Sequence, residues 1–491
     1  MDAIDKSGDL GELERRVRFE MDCLGYPSRQ WTVGRNRDGS PVHDVIIVGG
    51  GQSGMSIAFR LLRERVTNVR VLDRNPAGRE GPWVSFARMH TLRTPKVVTG
   101  PDLGIPSLSP RAWWEARFGE RSWQGLNKIP REAWQAYLMW VRKTVGIEIS
   151  NETEVTDIEP LSDGLLAVRA NVDGVAQQFF TRKVVLATGI EGSGSWTVPA
   201  AIAQALPRTC YAHTADPIDF RALAGQSVAV VGAGASAFDN AATALEAGAA
   251  SVDLFARRKR LPTVNPNRWM EFAGFLRHFG DLDDARKWRF MKLIFDMNQP
   301  PPQDTFDRCA RHANFVLHLG CPIDRVAFED GRIKLATPHA TQTFDFLIAG
   351  TGFTIDLASR PELARFHDKI ACWSDRYRPP AGEHHALLGA YPYLSPNFQF
   401  TEKTAGSAPF LAHIFSYTFA AMPSLACSAG ISALKFGVDR IASGITRALF
   451  VEDADLHLQS LRQYDEVELE YRHTDAERTR DAQTAPQQLG R

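Results

Sequence analysis

The sequence predicts an α/β protein with two Rossmann-like dinucleotide-binding domains, the second inserted in the first, and a helical insert carried by the second. Three observations predict this. Two strand–glycine turn–helix–strand units stand about 180 residues apart in one chain. Two further apolar strands end in near-identical turns, Val184-Val185-Leu186-Ala187-Thr188-Gly189 and Phe346-Leu347-Ile348-Ala349-Gly350-Thr351-Gly352. An aromatic-rich stretch with helical spacing occupies 267–313, interrupted by Pro300-Pro301-Pro302.

In chain order, residues 1–43 read as an extension with a helical patch at 10–24, followed by polar, glycine-bearing sequence. The run Val42-His43-Asp44-Val45-Ile46-Ile47-Val48 is almost continuously apolar, as a parallel strand buried on both faces requires. A glycine cluster, a helix over 55–65 and a strand over 69–72 complete the first βαβ unit. The second unit has a strand at 227–231, a glycine turn at 232–237, a helix at 238–247 and a strand at 251–255. The expected partition is 44–200 for the first part of the first domain and 201–335 for the second domain with its insert. Residues 336–455 return to the first domain, and 456–491 form a charged tail.

Composition bounds the function. With 491 residues, 44% hydrophobic and 23% charged, the chain suits a globular protein of two or three domains. Lys and Arg number 57, as do Asp and Glu, so no overall field favours nucleic acid. The one short basic run is Arg257-Arg258-Lys259-Arg260. Six scattered cysteines with no C-x-x-C pair exclude a zinc ribbon and a thioredoxin-like redox pair, and suit a reducing cytoplasm. The charged start (Asp2, Asp5, Lys6, Asp9) does not resemble a signal peptide, and no apolar run is long enough for a membrane span.

The first glycine motif is Gly49-Gly50-Gly51-Gln52-Ser53-Gly54, a G-x-G-x-x-G that directly follows a strand and opens a helix. Gly49 permits the tight turn, Gly51 lets the backbone approach a pyrophosphate, and Gly54 lets the helix pack against the strand. The helix start at Gln52 and Ser53 presents N–H groups to phosphate. Asp73, followed by Arg74, closes the next strand, where a carboxylate accepts from a ribose 2′-hydroxyl and repels a 2′-phosphate. The second motif, Gly232-Ala233-Gly234-Ala235-Ser236-Ala237, has Arg257 and Arg258 at the corresponding strand end, 25 residues on against 24 in the first. Guanidinium groups bind a 2′-phosphate bidentately. The first site therefore suits FAD and the second NADPH.

In this arrangement the sequence resembles the class B flavoprotein monooxygenases, over about 42–450. The resemblance rests on the two glycine motifs, Gly81-Pro82-Trp83, Ala187-Thr188-Gly189 and Gly350-Thr351-Gly352-Phe353 in that order. It implies that Trp83, Thr188, Gly189 and Gly352 belong to the cofactor sites. It implies NADPH reducing FAD, and a flavin C4a-(hydro)peroxide that oxygenates a small organic substrate with dioxygen. Met89-His90-Thr91-Leu92-Arg93-Thr94-Pro95-Lys96 falls where such enzymes pass a strand under the flavin, and Ile129-Pro130-Arg131-Glu132 where they open a helix. Arg93 and Thr94 stand where many relatives have asparagine, and with His213 they are the candidate donors at the flavin edge.

Of the Baeyer–Villiger fingerprint only His213 is kept, with Pro207, Thr209 and Pro217 in place of its Phe, Gly and Trp. Thr305-Phe306-Asp307-Arg308-Cys309-Ala310-Arg311 resembles the stretch with that branch's arginine, which makes Arg311 or Arg308 a candidate. Ser236 and Asp239 look more like the N- and S-oxygenating branch, which the reading favours slightly. The aromatics Trp269, Phe272, Phe275, Phe279, Trp288, Phe290 and Phe295 could line an apolar substrate cavity, form core, or face a second copy in a homodimer. Ser428-Ala429-Gly430-Ile431-Ser432 precedes a helix whose start could face the flavin. A reductase or oxidase that inserts no oxygen, and a non-catalytic flavoprotein, are the competing classes.

Overall fold

The computed structural model describes residues 7–24, 29–98, 100–426, 430–470 and 478, and divides into two units, 1–447 and 448–491. In the first unit an eight-stranded sheet is built around Ser40–Val48. That strand pairs in parallel with Val69–Leu72 on one side and with Val175–Leu186 on the other. Val45, Ile46 and Ile47 are fully buried, as a strand covered on both faces must be. The long strand Val175–Leu186 continues into an antiparallel meander with Leu166–Val172 and Thr153–Pro160, and its far end pairs with Ile414–Ser416. Residue 414 thus returns to the sheet that residue 40 begins.

The second sheet is five parallel strands in the order Phe315–Leu319, Ser251–Ala256, Ser227–Val231, Phe346–Ala349 and Tyr211–His213. The helix Ala235–Glu246 packs on it through Ala237, Phe238, Ala241, Ala244 and Leu245. Phe346–Ala349 pairs with Val228–Val231 and with Tyr211–His213. This corrects the expected boundary at 336. An apolar strand ending in a glycine turn fits either sheet by pattern, and only the register shows that it closes the second.

Within the expected extension, the helical patch forms and packs within the first unit. Helix Ser7–Cys23 buries Leu13 and Val17, and its Glu20 accepts from the Ser107 backbone N–H at 3.0 Å and hydroxyl at 2.7 Å. The tail expected from 456 opens instead within a helix, Ala454–Arg462, and in this second unit the rings of Phe450 and His457 stack at 5.0 Å.

The insert forms helices Pro266–Trp269, Ala273–His278, Asp284–Met297 and Gln303–Ala310. Its aromatics serve as core. Phe275, Phe279 and Trp288 are buried with Met291, Trp373 and Tyr391, with Phe290 and Phe295 packed alongside, while Trp269 and Phe272 remain half exposed. None of the seven lines the large cleft of this unit. Phe279→Ala should therefore cost about 3–5 kcal/mol of stability, and Phe272→Ala less than half of that, in urea unfolding. Equal losses would show that the exposed ring packs as tightly as the buried one.

Candidate active site

Each glycine turn is held by a neighbouring carbonyl. Gly49 has φ +104°, and a Cβ there would lie 2.4 Å from the Ala187 carbonyl oxygen. Gly232 has φ +122°, and its Cβ would lie 2.2 Å from the Gly350 oxygen. The two turns that recur in the sequence, 187–189 and 350–352, are therefore the abutments of the two glycine motifs. Gly54 meets the third requirement, since a Cβ there would come 1.8 Å from the Gly49 oxygen. By contrast, a Cβ on Gly51 would meet nothing nearer than 3.7 Å, which leaves its outer side open to a ligand.

The first turn and its abutment 187–189 border a cleft of about 990 Å³, which the second motif meets only from Ser236 on, while Gly232, Gly234 and Gly352 lie outside its lining. Its lining includes Gly49, Gly51, Gln52, Ser53, Asp73, Arg74, Trp83, Arg93, Thr94, Thr188, Gly189 and Ser236 from the sequence-based set. Helix Gln52–Arg63 starts at this cleft with no side-chain cap, as does Ala235–Glu246. A helix start of this kind is a ready phosphate site. Asp73 Oδ2 accepts from the Gly50 N–H at 2.8 Å, while Oδ1 accepts from Asn75 N–H and Nδ2 at 2.8 and 2.9 Å. The carboxylate thus fixes the glycine turn, and a two-oxygen acceptor retains capacity for a ribose hydroxyl. Arg74 pairs with Glu191 at 2.6 Å.

The residues present fit a large polar cofactor. Thr188 Oγ1, Trp83 Nε1 and Asn240 Oδ1 are buried at the cleft without a hydrogen-bond partner among the described residues, and such atoms cost stability unless something completes them. Gly49, Gly51, Gln52, Ser53, Asp73, Trp83 and Thr188, all expected at the first dinucleotide, line this one cleft. At the second motif, Gly234 and Ala235 open the helix, Ala237 is buried, and its Cβ lies where a Cβ on Gly350 would be only 2.6 Å away. Arg257 directly follows strand Ser251–Ala256 and is exposed. Arg258 is half-buried, its carbonyl accepting from the Gly320 N–H at 2.8 Å, and neither guanidinium forms an ion pair with a described residue.

Arg93 is held from behind. Its Nη2 donates to Asp239 Oδ2 at 2.8 Å, and Asp239 Oδ1 accepts from Thr305 Oγ1 at 2.9 Å. This buried carboxylate ties the segment 89–94 to the second helix and to the insert.

Two candidates are corrected. His213 is buried outside the cleft lining, with Nε2 bonded to the Gly352 carbonyl at 2.9 Å and Nδ1 accepting from the Ala215 N–H at 3.1 Å. Both ring nitrogens serve backbone, so His213 is a strut between strand ends. Arg311 is exposed and pairs with Glu246 at 3.2 Å, and Arg308 forks onto Glu246 at 2.9 and 2.8 Å. Both line a neighbouring cavity of about 540 Å³, which shares Met89, Leu92 and Arg93 with the cleft.

The sequence reading missed the cleft residues at the start of the insert and within it: Asn265, Asn267, Arg268, Met270, Glu271, Leu276 and Gln299. A signal was present, since Asn265-Pro266 is a helix-start signature and Gln299 precedes the proline run. At the late helix Ile431–Glu452, Gly430, Ile431 and Ser432 line the cleft, and Ser428 and Ala429 lie outside the described residues.

The fold and cleft define a two-nucleotide flavoprotein, and comparison with known proteins agrees. A family model described as FAD-NAD(P)-binding matches residues 46–191. The FAD-dependent urate hydroxylase of Xanthomonas campestris pv. campestris is 44% identical over 460 residues, 94% of this chain and 97% of that one. The ornithine hydroxylase of Pseudomonas aeruginosa shares the fold at TM-score 0.65 and 18% identity, covering 83% of this chain and 100% of its own. The ornithine N-hydroxylase of Kutzneria sp. 744, solved with reduced FAD, NADP⁺ and L-ornithine, does so at 0.63 and 16%, covering 83% and 100%. The chain belongs to the class B flavoprotein monooxygenases, in one family with the Xanthomonas urate hydroxylase. It is an FAD-dependent monooxygenase that takes reducing equivalents from a nicotinamide dinucleotide and acts on a small organic substrate. Among the described residues no helix is long and apolar enough to cross a membrane.

Burial lowers the His213 pKa below its ordinary 6.5, against the opposing pull of the Gly352 carbonyl. Above pH 6.5 the ring is neutral in both folded and unfolded chains. Below that, the unfolded chain takes up the proton first, so stability falls until the folded pKa is passed. His213→Gln should make the drop in Tm between pH 6.5 and 5 shallower, while the pH profile of turnover keeps its shape. A lost limb in that profile would restore His213 as an acid–base group.

Proposed function

We propose that this protein hydroxylates urate or a closely related oxidised purine in the cytoplasm, with NADPH as reductant and dioxygen as oxidant. The observation that carries the reading is the character of the cleft where the insert meets it. Amides and an arginine line that end beside Met270 and Leu276, and its nearby carboxylates are already paired, Glu271 with Arg268 at 2.9 Å and Asp239 with Arg93 at 2.8 Å. Ammonium-bearing substrates such as ornithine call for an uncommitted acid. An amide-rich, anionic ring calls for hydrogen-bond donors and acceptors, which these residues supply. The 44% identity to the urate hydroxylase, spread over nearly the full length of both chains, supports the same substrate class. A ring hydroxylation replaces the N- or S-oxygenation that Ser236 and Asp239 alone favoured.

Bound FAD, once reduced, supplies the activated oxygen. The chain's own part is to bind and shield. The uncapped helix starts take the phosphates. Asp73 takes the ribose at the first site, and the unpaired Arg257 and Arg258 take a 2′-phosphate at the second. The buried Asp239 keeps Arg93 in place at the cleft wall. Trp83, whose ring meets Trp134 edge-on at 6.3 Å, closes a dry side of the cleft.

Urate added to the FAD-loaded protein should accelerate NADPH oxidation, with oxygen recovered in a hydroxylated product. NADPH oxidation that ignores urate, with all reducing equivalents released as hydrogen peroxide, would refute the substrate. Arg257→Ala combined with Arg258→Ala should raise KM for NADPH by about thirtyfold or more and KM for NADH by less than about threefold, as loss of two charge-assisted contacts implies. An equal rise for both would show that the basic run does not hold a 2′-phosphate.

A further inference from the structure

From the same cleft we infer that the paired amides of Asn267 and Gln299 are the specificity determinant, reading an –NH–C(=O)– edge of a purine-trione ring. The inference rests on the urate reading and adds the residues that do the recognising. Asn267 Nδ2 donates to Gln299 Oε1 at 3.2 Å. That bond uses one donor of Asn267 and one acceptor site of Gln299, and leaves the Asn267 Oδ1 acceptor beside the two N–H donors of Gln299 Nε2. Two amides locked in this way present a donor and an acceptor side by side. A cyclic ureide or imide offers the complementary acceptor and donor in one plane. An amine, a sulfide or a simple ketone cannot satisfy both.

The pair is fixed from both sides. Asn267 sits in the first turn of Pro266–Trp269, where its backbone N–H donates to Asn265 Oδ1 at 3.0 Å. Gln299 follows Asn298, which leaves the helix Asp284–Met297 with φ +61°. Helix Asp284–Met297 is anchored in the aromatic core through Trp288 and Met291, and Pro266–Trp269 meets it through Trp269, whose ring lies 5.4 Å from Phe275 and 6.1 Å from Phe290. Both amides are half-buried on the cleft lining, where a hydrogen bond to a ligand competes with less water than at the surface. Arg268 next to the pair reaches the Arg93 carbonyl at 3.4 Å, which joins this corner to the segment that resembles the strand beneath the flavin.

The test is the dissociation constant of urate for the FAD-loaded protein, read from the perturbation of the flavin absorbance, and compared with those of the four mono-N-methylated urates. The wild type should bind urate and discriminate at least tenfold against the methylated ring whose engaged N–H is blocked. Asn267→Ala and Gln299→Glu should each weaken urate binding about tenfold or more and collapse that discrimination toward unity, with FAD content retained as the check of folding. The glutamate variant is isosteric and replaces the N–H donors by a negative charge. Should Asn267→Ala lose its flavin, Gln299→Glu decides alone. Urate affinity and discrimination unchanged in the flavin-retaining variants would overturn the inference and leave the urate reading standing. No response of the wild type to urate would overturn the substrate reading itself, and the inference with it.

Discussion

A carbonyl pressed into a glycine turn is the contact on which this molecule is organised. The Ala187 oxygen faces Gly49 and the Gly350 oxygen faces Gly232, each so closely that a methyl group on the glycine would overlap it. The contact sets where each turn stands relative to the adjacent strand end, and so where each helix start points. From that follow the open outer side of Gly51, the position of Asp73 behind Gly50, and a single cleft into which the first turn and the second helix both project. The unused polar atoms of Thr188 and Trp83 lie along the same wall. The geometry of both turns is thus a consequence of backbone packing.

That part was legible in the sequence because backbone chemistry dictates residue type. Only glycine tolerates the turn at Gly49 and the closeness at Gly54, and only a strand buried on both faces reads as Val45-Ile46-Ile47-Val48. The repeated A-T-G and G-T-G turns were visible as well, although their pairing with the two glycine motifs required the registers. The strand Phe346–Ala349 shows the boundary of pattern reasoning. Its apolar run serves either sheet, and hydrogen bonding to Val228–Val231 is decided by the path of the whole chain.

Side-chain roles were harder to read, for a physical reason. His213 and Arg311 were singled out by resemblance to short family stretches, yet a histidine or arginine finds work wherever backbone carbonyls or carboxylates lie within reach. His213 braces Gly352 and Ala215, and Arg311 joins Arg308 on Glu246. In the insert the spacing of the aromatics allowed core among its readings, and they do pack against Trp373 and Tyr391, while small amides, which no pattern singled out, line the cleft. Hydrophobic periodicity reports which face of a helix is buried, and says little about what its ends meet.

The division of labour inside the insert bears on how this scaffold changes substrates. Its rings carry the cohesion, and the amides that meet the cleft, Asn267 and Gln299, stand outside that aromatic cluster. Replacing an amide at 267 or 299 alters what is recognised without disturbing the aromatic anchor or the two nucleotide cradles. New specificity can therefore arise through one or two codons, while the oxygen chemistry is inherited intact.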